Sequence, residues 1–368
     1  MTGARLQLPQ GASCFTFDEA RRRRAIESRV VSVFRGWGYD EIVPPLFDHA
    51  ATFDSSLASK LYTFTGREGS TLALRPDFTS LVAKIAAGRL RHVEAPMRLY
   101  YSGEVVRYEP PRAGRQGEFH QMGLEFLGGG GPAADIEAIA IAVECLEAVG
   151  VRDFVVALGH AGVVTALLDA AGLATDDPRR DEALASLNRR DPRAVSAALA
   201  GLDGPVSVHR ALIGLAEDDG IRQSLEAARA AVGGIGAARM ALDDLEVTAA
   251  TLVGADLGGR VAIDLSESRG LDYYTGLVFR IYGAGLGFDV GGGGRYDALL
   301  GKLGRPMPAV GFMLGLDRLS LLVERQKGAS EALTLRPRTV SGPTLAVTLH
   351  EARALRAKGE TIRFEGPR

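Results

Sequence analysis

Hydrophobic and polar positions alternate over residues 119–126, the second half of a stretch, 107–126, that we predict to form two strands joined by a basic, glycine-bearing loop. Side chains of a strand point alternately to the two faces of a sheet, so Phe119, Gln121, Gly123 and Glu125 share one face. The opposite face is mostly apolar and predicts a contact with a core. The first face places an amide and a carboxylate on either side of a glycine, and we expect room there for a small, donor-rich, cationic ligand. A surface hairpin with scattered charges is the alternative.

Longer patterns on either side of this hairpin predict helices and further strands. A helical repeat of apolar residues predicts a helix from Asp18, whose side chain is suited to cap it, to Arg35. Residues 160–255 are rich in alanine, leucine, arginine and aspartate without a strand pattern, which predicts a helical insertion packed beside a sheet. Strand patterns return over residues 260–265, 270–283, 287–301 and at the start of 309–323, where the strand should continue into a helix.

The composition limits the class of protein. The chain has 368 residues, of which 46% are hydrophobic and 24% charged, with a mean hydropathy of +0.05. Its net charge of −2 provides no basic field for non-specific nucleic-acid binding. Cys14 and Cys145 follow no metal-ligand or disulfide spacing, and the chain shows neither a signal-peptide pattern nor about 18 consecutive apolar residues. We therefore expect a cytoplasmic protein with no disulfide and no metal site.

Charged residues near the hairpin predict ligand contacts. Arg75 and Asp77 stand at a predicted helix start, where Asp77 either caps the helix or binds a ligand. Arg107, Arg112 and Arg115 lie in or beside the hairpin loop, where guanidinium groups are suited to bind a phosphate or a carboxylate.

A glycine run near the end of the sheet pattern predicts a close approach of backbone to a ligand. Gly291–Gly294 should let the end of a strand turn sharply. Five residues with polar or aromatic side chains bracket the run and strengthen this interpretation: Arg269, Tyr273, Tyr274, Arg295 and Tyr296. Further along, Arg318 is either a phosphate ligand or a structural partner of Asp317 or of a sheet carboxylate.

Taken in order, these segments resemble the catalytic core of histidyl-tRNA synthetase, a class II aminoacyl-tRNA synthetase, over roughly residues 5–325. GYDEIVPP resembles motif 1, with Pro45 at the proline of the dimer interface, the hairpin resembles motif 2, and GFMLGLDRL resembles motif 3. SRGLDYYTG and GGGRYDALL resemble the two peptides of histidine-specific members. The resemblance implies an α+β fold with an antiparallel sheet flanked by helices, a synthetase-like core over residues 1–325 and a short extension over residues 326–368.

The resemblance also implies roles for individual residues. Arg107 and Arg318 stand at the phosphate-binding arginines of motifs 2 and 3, and Arg115 belongs to the same anion-binding set. Seven residues are implied to bind histidine: Asp77, Gln121, Glu125, Arg269, Tyr273, Tyr274 and Tyr296.

Two departures from the synthetase pattern indicate a different branch of the family. Asp77 and Phe78 replace the glutamate and glycine of LRPEGT, and Gly117 and Glu118 replace a basic and a neutral residue, which should weaken ATP binding. Residues 326–368 are too few for an anticodon-binding domain of about 100 residues. Both departures resemble the regulatory subunit of ATP phosphoribosyltransferase, a synthetase-like paralogue.

That resemblance implies a non-catalytic protein without cofactor or metal, which takes part in histidine biosynthesis. Its implied partners are free histidine, a second copy through the region near Pro45, and the short-form catalytic subunit, whose activity and feedback control it supports. Neither a membrane nor tRNA is an expected partner. The alternative is a truncated or divergent histidyl-tRNA synthetase, and a third hypothesis is an ATP-dependent enzyme that transfers an amino acid to another acceptor.

Overall fold

One central sheet organises the molecule, for which the computed structural model describes residues 7–9, 11–53, 55–108, 117–217, 225–267, 273–327 and 338–365. Among these residues, eight strands pair in the order β1 (Asp40–Glu41), β5 (Met97–Val106), β6 (Glu118–Leu127), β11 (Ala309–Gly315), β10 (Asp289–Arg295), β9 (Leu277–Gly283), β7 (Phe154–His160) and β8 (Val261–Ile263). The expected α+β fold is confirmed. The sheet is mixed rather than wholly antiparallel, because β1–β5 and β7–β8 at its two edges are parallel pairs.

Helices cover both faces of this sheet and create two apolar clusters. The main core joins Met122 and Leu124 of β6 to α1 (Phe17–Gly36), α3 (Gly131–Ala148) and α11 (Leu316–Lys327). A smaller cluster, which contains Phe78, Tyr101 and Tyr296, lies on the other face with α2 (Thr79–Ala87) and α10 (Ala298–Lys302). The even-numbered face of β6 therefore packs on the core, as its alternation predicted, and Gln121 and Glu125 point toward the smaller cluster.

All the regular secondary structure described between β7 and β8 is helical. Its six helices are α4 (Ala161–Ala170), α5 (Pro178–Arg189), α6 (Pro192–Ala198), α7 (Val206–Glu217), α8 (Leu225–Val232) and α9 (Gly236–Gly254). Helix α9 packs on α4, α3 and β7, and buried leucines such as Leu242 and Leu245 extend the main core into this region. No helix within the described ranges combines the length and the apolar character that crossing a bilayer demands.

Two smaller units complete the fold. A three-stranded sheet pairs β2 (Phe47–His49), β4 (Thr71–Leu74) and β3 (Thr63–Thr65) beside the 3-10 turns Ala50–Thr52 and Ser55–Lys60. A third 3-10 turn, Gly258–Arg260, precedes β8. At the C-terminal end, β12 (Arg338–Val340) and β13 (Ile362–Phe364) form a parallel pair with α12 (Leu345–Ala357).

Two predicted element boundaries are wrong. Helix α1 begins at Phe17, and Asp18 does not cap it but pairs with Arg21 on the surface. The strand predicted over residues 270–283 begins only at Leu277 in the described chain, because residues 273–276 form a turn and irregular backbone.

The glycine run Gly291–Gly294 also differs from its prediction. It does not turn at a strand end but forms the middle of β10, paired on both sides with β9 and β11 and fully buried. A Cβ atom added at Gly293 would overlap the carbonyl oxygen of Gly311, and one at Gly294 would lie 2.5 Å from the carbonyl oxygen of Leu277 and 2.9 Å from the ring of Tyr274. The glycines therefore allow neighbouring strands and aromatic rings to approach β10 closely.

Gly293→Ala should destabilise the fold by about 2 kcal/mol or more, because its methyl group meets backbone that cannot move without breaking the sheet. Urea unfolding measures the change. Gly301→Ala is the matched control, since a Cβ there meets only Pro306 at 3.8 Å and the residue lies in α10, where alanine is the better helix former. Equal losses of stability in the two variants would contradict the close-packing explanation.

Candidate functional site

The buried carboxyl group of Glu125 is the centre of the candidate site. Glu125 is 1% exposed, and its Oε2 accepts a hydrogen bond from the hydroxyl of Tyr296. The carboxyl group extends across β11 at Gly311, where a side chain would overlap it. Burial raises the pKa of Glu125 from an ordinary 4.5 to about 8, hydrogen bonds from Thr79 and Tyr296 offset part of this effect, and the negative charge of Asp77 adds to it. An empty site therefore keeps this carboxyl group protonated at neutral pH.

Four tyrosines and a phenylalanine form the wall around Glu125. The ring of Tyr273 stacks on Tyr296 with 5.0 Å between centroids and meets the ring of Tyr274 edge-on at 5.2 Å. Tyr101 stacks on Phe78 with 4.2 Å between centroids and 8° between planes. Burial raises the pKa of the Tyr101, Tyr273 and Tyr296 hydroxyls, so these phenols act as neutral donors and acceptors.

Asp77 both caps a helix and faces the site. Its Oδ1 accepts a hydrogen bond of 2.8 Å from the backbone N–H of Ser80 in the first turn of α2. Its Oδ2 is buried and, like the hydroxyl of Tyr273, finds no hydrogen-bond partner within the part of the chain that the structure describes. Buried polar atoms are normally paired, so these two atoms favour a ligand that donates to one and pairs with the other. The two readings of Asp77, cap and ligand contact, are therefore compatible.

The space above Gly123 is filled rather than open. The hydroxyl of Tyr101, whose residue pairs with Gly123 across β5 and β6, lies 2.5 Å from the place that a Cβ of Gly123 would take. The expectation of free room between Gln121 and Glu125 is corrected accordingly, because the glycine accommodates a tyrosine from the neighbouring strand. Gln121 is 2% exposed on the same strand and lies opposite Gly315 of β11.

Two of the arginines predicted to bind anions, Arg318 and Arg107, already form hydrogen bonds within the protein. Arg318 donates through Nη1 to the carbonyl oxygen and to Oδ2 of Asp289, at 2.8 and 3.0 Å. Of its two predicted roles, the structure thus has the ion pair with a sheet carboxylate. Arg107 donates to the carbonyl oxygen of Pro76 at 2.5 Å, and its guanidinium lies 5.4 Å from the ring of Phe119. Arg115 and Arg269 lie outside the described residues.

Arg295 has a structural role. Its guanidinium is 7% exposed and donates to both carboxylate oxygens of Asp135, to the carbonyl oxygens of Gly129 and Gly131, and to Asp297. This buried network attaches the end of β10 to the start of α3 and thereby orients the following residue, Tyr296, toward Glu125.

Three residues of the site were not predicted from the sequence: Phe78 as a wall residue, Thr79 and Tyr101. Tyr101 lies on β5, before the residues 107–126 over which the hairpin was predicted, and its contact with Gly123 depends on the register of β5 with β6. Thr79 and Phe78 follow Asp77 directly, and their approach to β6 depends on how α2 packs over the sheet.

Comparisons with known proteins identify close relatives of the chain. The family model for histidyl-tRNA synthetase matches residues 15–319. A Moorella thermoacetica protein named ATP phosphoribosyltransferase regulatory subunit is 41% identical over 98% of this chain and 92% of its own length. The histidine–tRNA ligase of Methanocaldococcus jannaschii is 31% identical over 98% of this chain and 86% of its own length.

A solved structure extends this likeness to the fold. The Bacillus halodurans protein, described as an ATP phosphoribosyltransferase regulatory subunit/histidyl-tRNA synthetase, superposes with a TM-score of 0.83 at 29% identity and covers 98% of this chain and 93% of its own. The expected class II synthetase-like fold is confirmed.

The raised pKa of Glu125 predicts a pH-dependent stability for the ligand-free protein. The folded state holds this proton up to about pH 8 and the unfolded state only to about 4.5, so stability should fall as pH rises between these values, by at most about 1.4 kcal/mol per pH unit. Urea unfolding from pH 5 to 8 should show this slope for the wild type and a shallower one for Glu125→Gln. Glu118→Gln, exposed on the same strand, is the control, and parallel curves for wild type and Glu125→Gln would contradict the assignment.

Proposed function

Since this chain belongs to the family of ATP phosphoribosyltransferase regulatory subunits, which are similar to histidyl-tRNA synthetases, we propose that it binds free histidine and regulates a separate catalytic subunit. The observation that carries the histidine assignment is the buried set around Glu125, whose carboxyl group, phenols and unpaired Asp77 oxygen match the groups of that ligand. We also propose that the catalytic subunit is of the short form, that histidine provides feedback control and that this chain catalyses no reaction itself.

The chemistry of the pocket supports histidine as its ligand. An imidazole ring carries two nitrogen atoms that act as donor or acceptor, and Glu125 with the phenols offers both kinds of partner. Asp77 has a free oxygen for the α-ammonium group. The rings of Tyr273 and Tyr296 provide apolar walls for a flat side chain. A cationic or strongly donating ligand is favoured, because it would pair with the buried Oδ2 of Asp77, which has no hydrogen-bond partner among the described residues, and would offset the burial that keeps Glu125 protonated in the empty site.

Three features support a protein that does not activate histidine with ATP. Arg318 is paired with Asp289, and an anion would have to compete with that carboxylate. Phe78, where synthetases carry glycine, fills the space above Gly103, whose added Cβ would lie 3.1 Å from the phenylalanine ring. Glu118 places a negative charge at the start of β6, beside the loop that a triphosphate would approach.

The region around Pro44 and Pro45 supports self-association. Apolar side chains stand exposed on this part of the surface, with Val43 84%, Leu46 49% and Phe47 50% accessible. Arg75 holds the segment rigidly, since it donates to the carbonyl oxygen of Pro44 at 2.9 Å. A preformed apolar surface of this kind favours a dimer.

Regulation then needs only a difference in histidine affinity between two arrangements of the assembly. Couplings of about 1–3 kcal/mol, which change affinity about 5- to 150-fold, are typical. Histidine that donates to Asp77 and Glu125 would hold α2 and β6 together. The free energy of this interaction would be available to favour one arrangement of the contact with the catalytic subunit.

Glu125→Ala should abolish measurable histidine binding, because the imidazole would lose its partner in a desolvated site. Calorimetry with the purified protein measures the affinity. In the assembly with a short-form catalytic subunit, the variant should still support activity but lose the response to histidine. Glu118→Ala, with the same residue type exposed on the same strand, should bind histidine as the wild type does. Unchanged affinity in Glu125→Ala would refute the placement of the ligand.

The second candidate function is histidyl-tRNA synthetase activity, favoured by the relative from Methanocaldococcus jannaschii and by the presence of Arg107 and Arg318. Histidine-dependent exchange of pyrophosphate into ATP separates the two functions. We expect no exchange above background, because the phosphate-binding arginines are already bonded within the protein. Exchange at a rate proportional to protein and dependent on histidine would refute the regulatory proposal in its non-catalytic form.

A further inference from the structure

A second cluster of polar groups lies on the reverse face of β6, directly behind the pocket. The ring of His120 is buried between two strands and a helix, and the residue is 4% exposed. Its Nδ1 lies 3.0 Å from Oε1 of Glu104, and its Nε2 lies 2.8 Å from Oγ of Ser102 and 3.5 Å from Oε1 of Glu27. Ser102 in turn donates its hydroxyl hydrogen to Glu27 at 2.7 Å. Neither the proposed histidine pocket nor the anion-binding arginines include any of these four residues.

The number of protons in this cluster follows from its hydrogen bonds. The only hydroxyl hydrogen of Ser102 points to Glu27, so Nε2 of His120 must donate to the Ser102 oxygen. Nδ1 faces a carboxylate, so it must donate as well. A neutral imidazole has one N–H group and would leave two acceptors facing each other at one of these contacts. The arrangement is fully satisfied when His120 is an imidazolium ion and both glutamates are ionised. A neutral imidazole would satisfy it only with the same proton on Glu27, whose ion pair with Arg24 favours the carboxylate instead.

The cluster joins four elements of the fold. The side chain of His120 links β6 to Glu27 on α1 and to Glu104 on β5. Its backbone N–H donates to Oδ2 of Asp317 at the start of α11, at 3.1 Å, and Arg23 of α1 pairs with the other oxygen of Asp317. The next residue on β6 is Gln121, which points to the opposite face and into the candidate pocket.

The charges around the ring favour its protonated form. Glu27 and Glu104 contact it directly, and the other ionisable side chains that line the adjoining cavity come from α1, β6 and α11: Arg23, Arg24, Glu118 and Asp317. Four carboxylates therefore stand against two guanidinium groups, of which Arg23 is taken up by Asp317 and Arg24 by Glu27. A cavity of about 240 Å³ reaches His120 and Glu104 between α1, β6 and α11, which gives water a route by which a proton enters or leaves.

We infer that His120 is held as an imidazolium ion and acts as a positioning residue, which fixes the pocket strand β6 against α1 and α11 so that histidine affinity depends on this proton. The inference rests on the proposed histidine site for its effect on affinity. The protonation of His120 stands on its own contacts and is measured separately.

The carboxylate partners respond as this arrangement demands. The hydrogen bond with His120 is the largest influence on Glu27 and, against the effect of burial, lowers its pKa to about 2. This depressed pKa stabilises the fold at pH values above an ordinary 4.5, and the contribution is lost as pH falls toward 2. Burial opposes ionisation of Glu104, but the hydrogen bond and the charge of His120 outweigh it and lower its pKa.

The direct test is the ¹⁵N spectrum of the wild-type chain labelled at histidine side chains. His120, assigned by the signals that disappear in His120→Gln, should show two protonated ring nitrogens at pH 7. A spectrum with one protonated and one unprotonated nitrogen at pH 7 would overturn the inference. The deciding spectrum is that of the wild-type protein, and the variant serves only to assign the signals.

The second test measures histidine affinity by calorimetry between pH 6 and 9. His120→Gln keeps an amide donor but no titrating proton, and we expect it to bind histidine about 5-fold or more weakly at pH 7. The ratio of wild-type to variant affinity should shrink as pH rises and His120 loses its proton. Titration of Glu125 is common to both proteins and cancels in this ratio. A ratio that does not change with pH would refute the positioning role.

His209→Gln is the matched control, because His209 also carries a buried ring nitrogen but lies in α7, away from the cluster. It should bind histidine as the wild type does at every pH. If neither wild type nor variant binds histidine, the proposed function fails, whereas the ¹⁵N spectrum still decides the protonation of His120.

Discussion

The hydrogen bond between Tyr296 and the desolvated carboxyl group of Glu125 is the constraint on which the rest of the site depends. A carboxyl group without water is acceptable only if it is neutral or receives donors, and one phenol with nearby Thr79 provides them while the site is empty. Tyr296 keeps its place because Arg295, beside it, is anchored to Asp135 at the start of α3. The hydrogen bond between Tyr296 and Glu125 thus depends on the salt bridge between Arg295 and Asp135 at the end of β10.

The large side chains around this bond also need space, which explains the glycines of the central strands. Glu125 lies across Gly311, Tyr101 lies over Gly123, and Tyr274 lies against Gly294. Each large side chain occupies the space that a Cβ on the neighbouring strand would take, so the aromatic pocket and the glycine positions are two aspects of one packing solution. The strand β10 is therefore weak in intrinsic strand preference and is maintained by its neighbours.

The alternation of residues along β6 predicted correctly which side chains face the core, because a half-buried strand has a period of two and one residue of slip would expose every apolar side chain. It did not predict Tyr101 over Gly123, since that contact depends on register across a loop whose length does not fix the pairing. The glycine run was assigned to a turn because glycine favours turns locally, and tertiary packing overrode that preference. The predicted structural partner of Arg318 was Asp317 or an unnamed sheet carboxylate, and Asp289 could not be named because it reaches Arg318 through the order of strands in the sheet.

The two faces of β6 solve opposite electrostatic problems, and this difference bears on the proposed function. On the reverse face, carboxylates, guanidinium groups and His120 satisfy one another, so that side can stay rigid without a ligand. On the pocket face, the partners of Glu125 and Asp77 among the described residues are neutral donors, so a cationic ligand would add the positive charge that these contacts lack. An enzyme would use the binding energy of such a cationic ligand to stabilise a transition state. Under the proposed function, a protein whose Arg318 is already paired with Asp289 would retain this energy for a change of conformation that reaches a partner subunit.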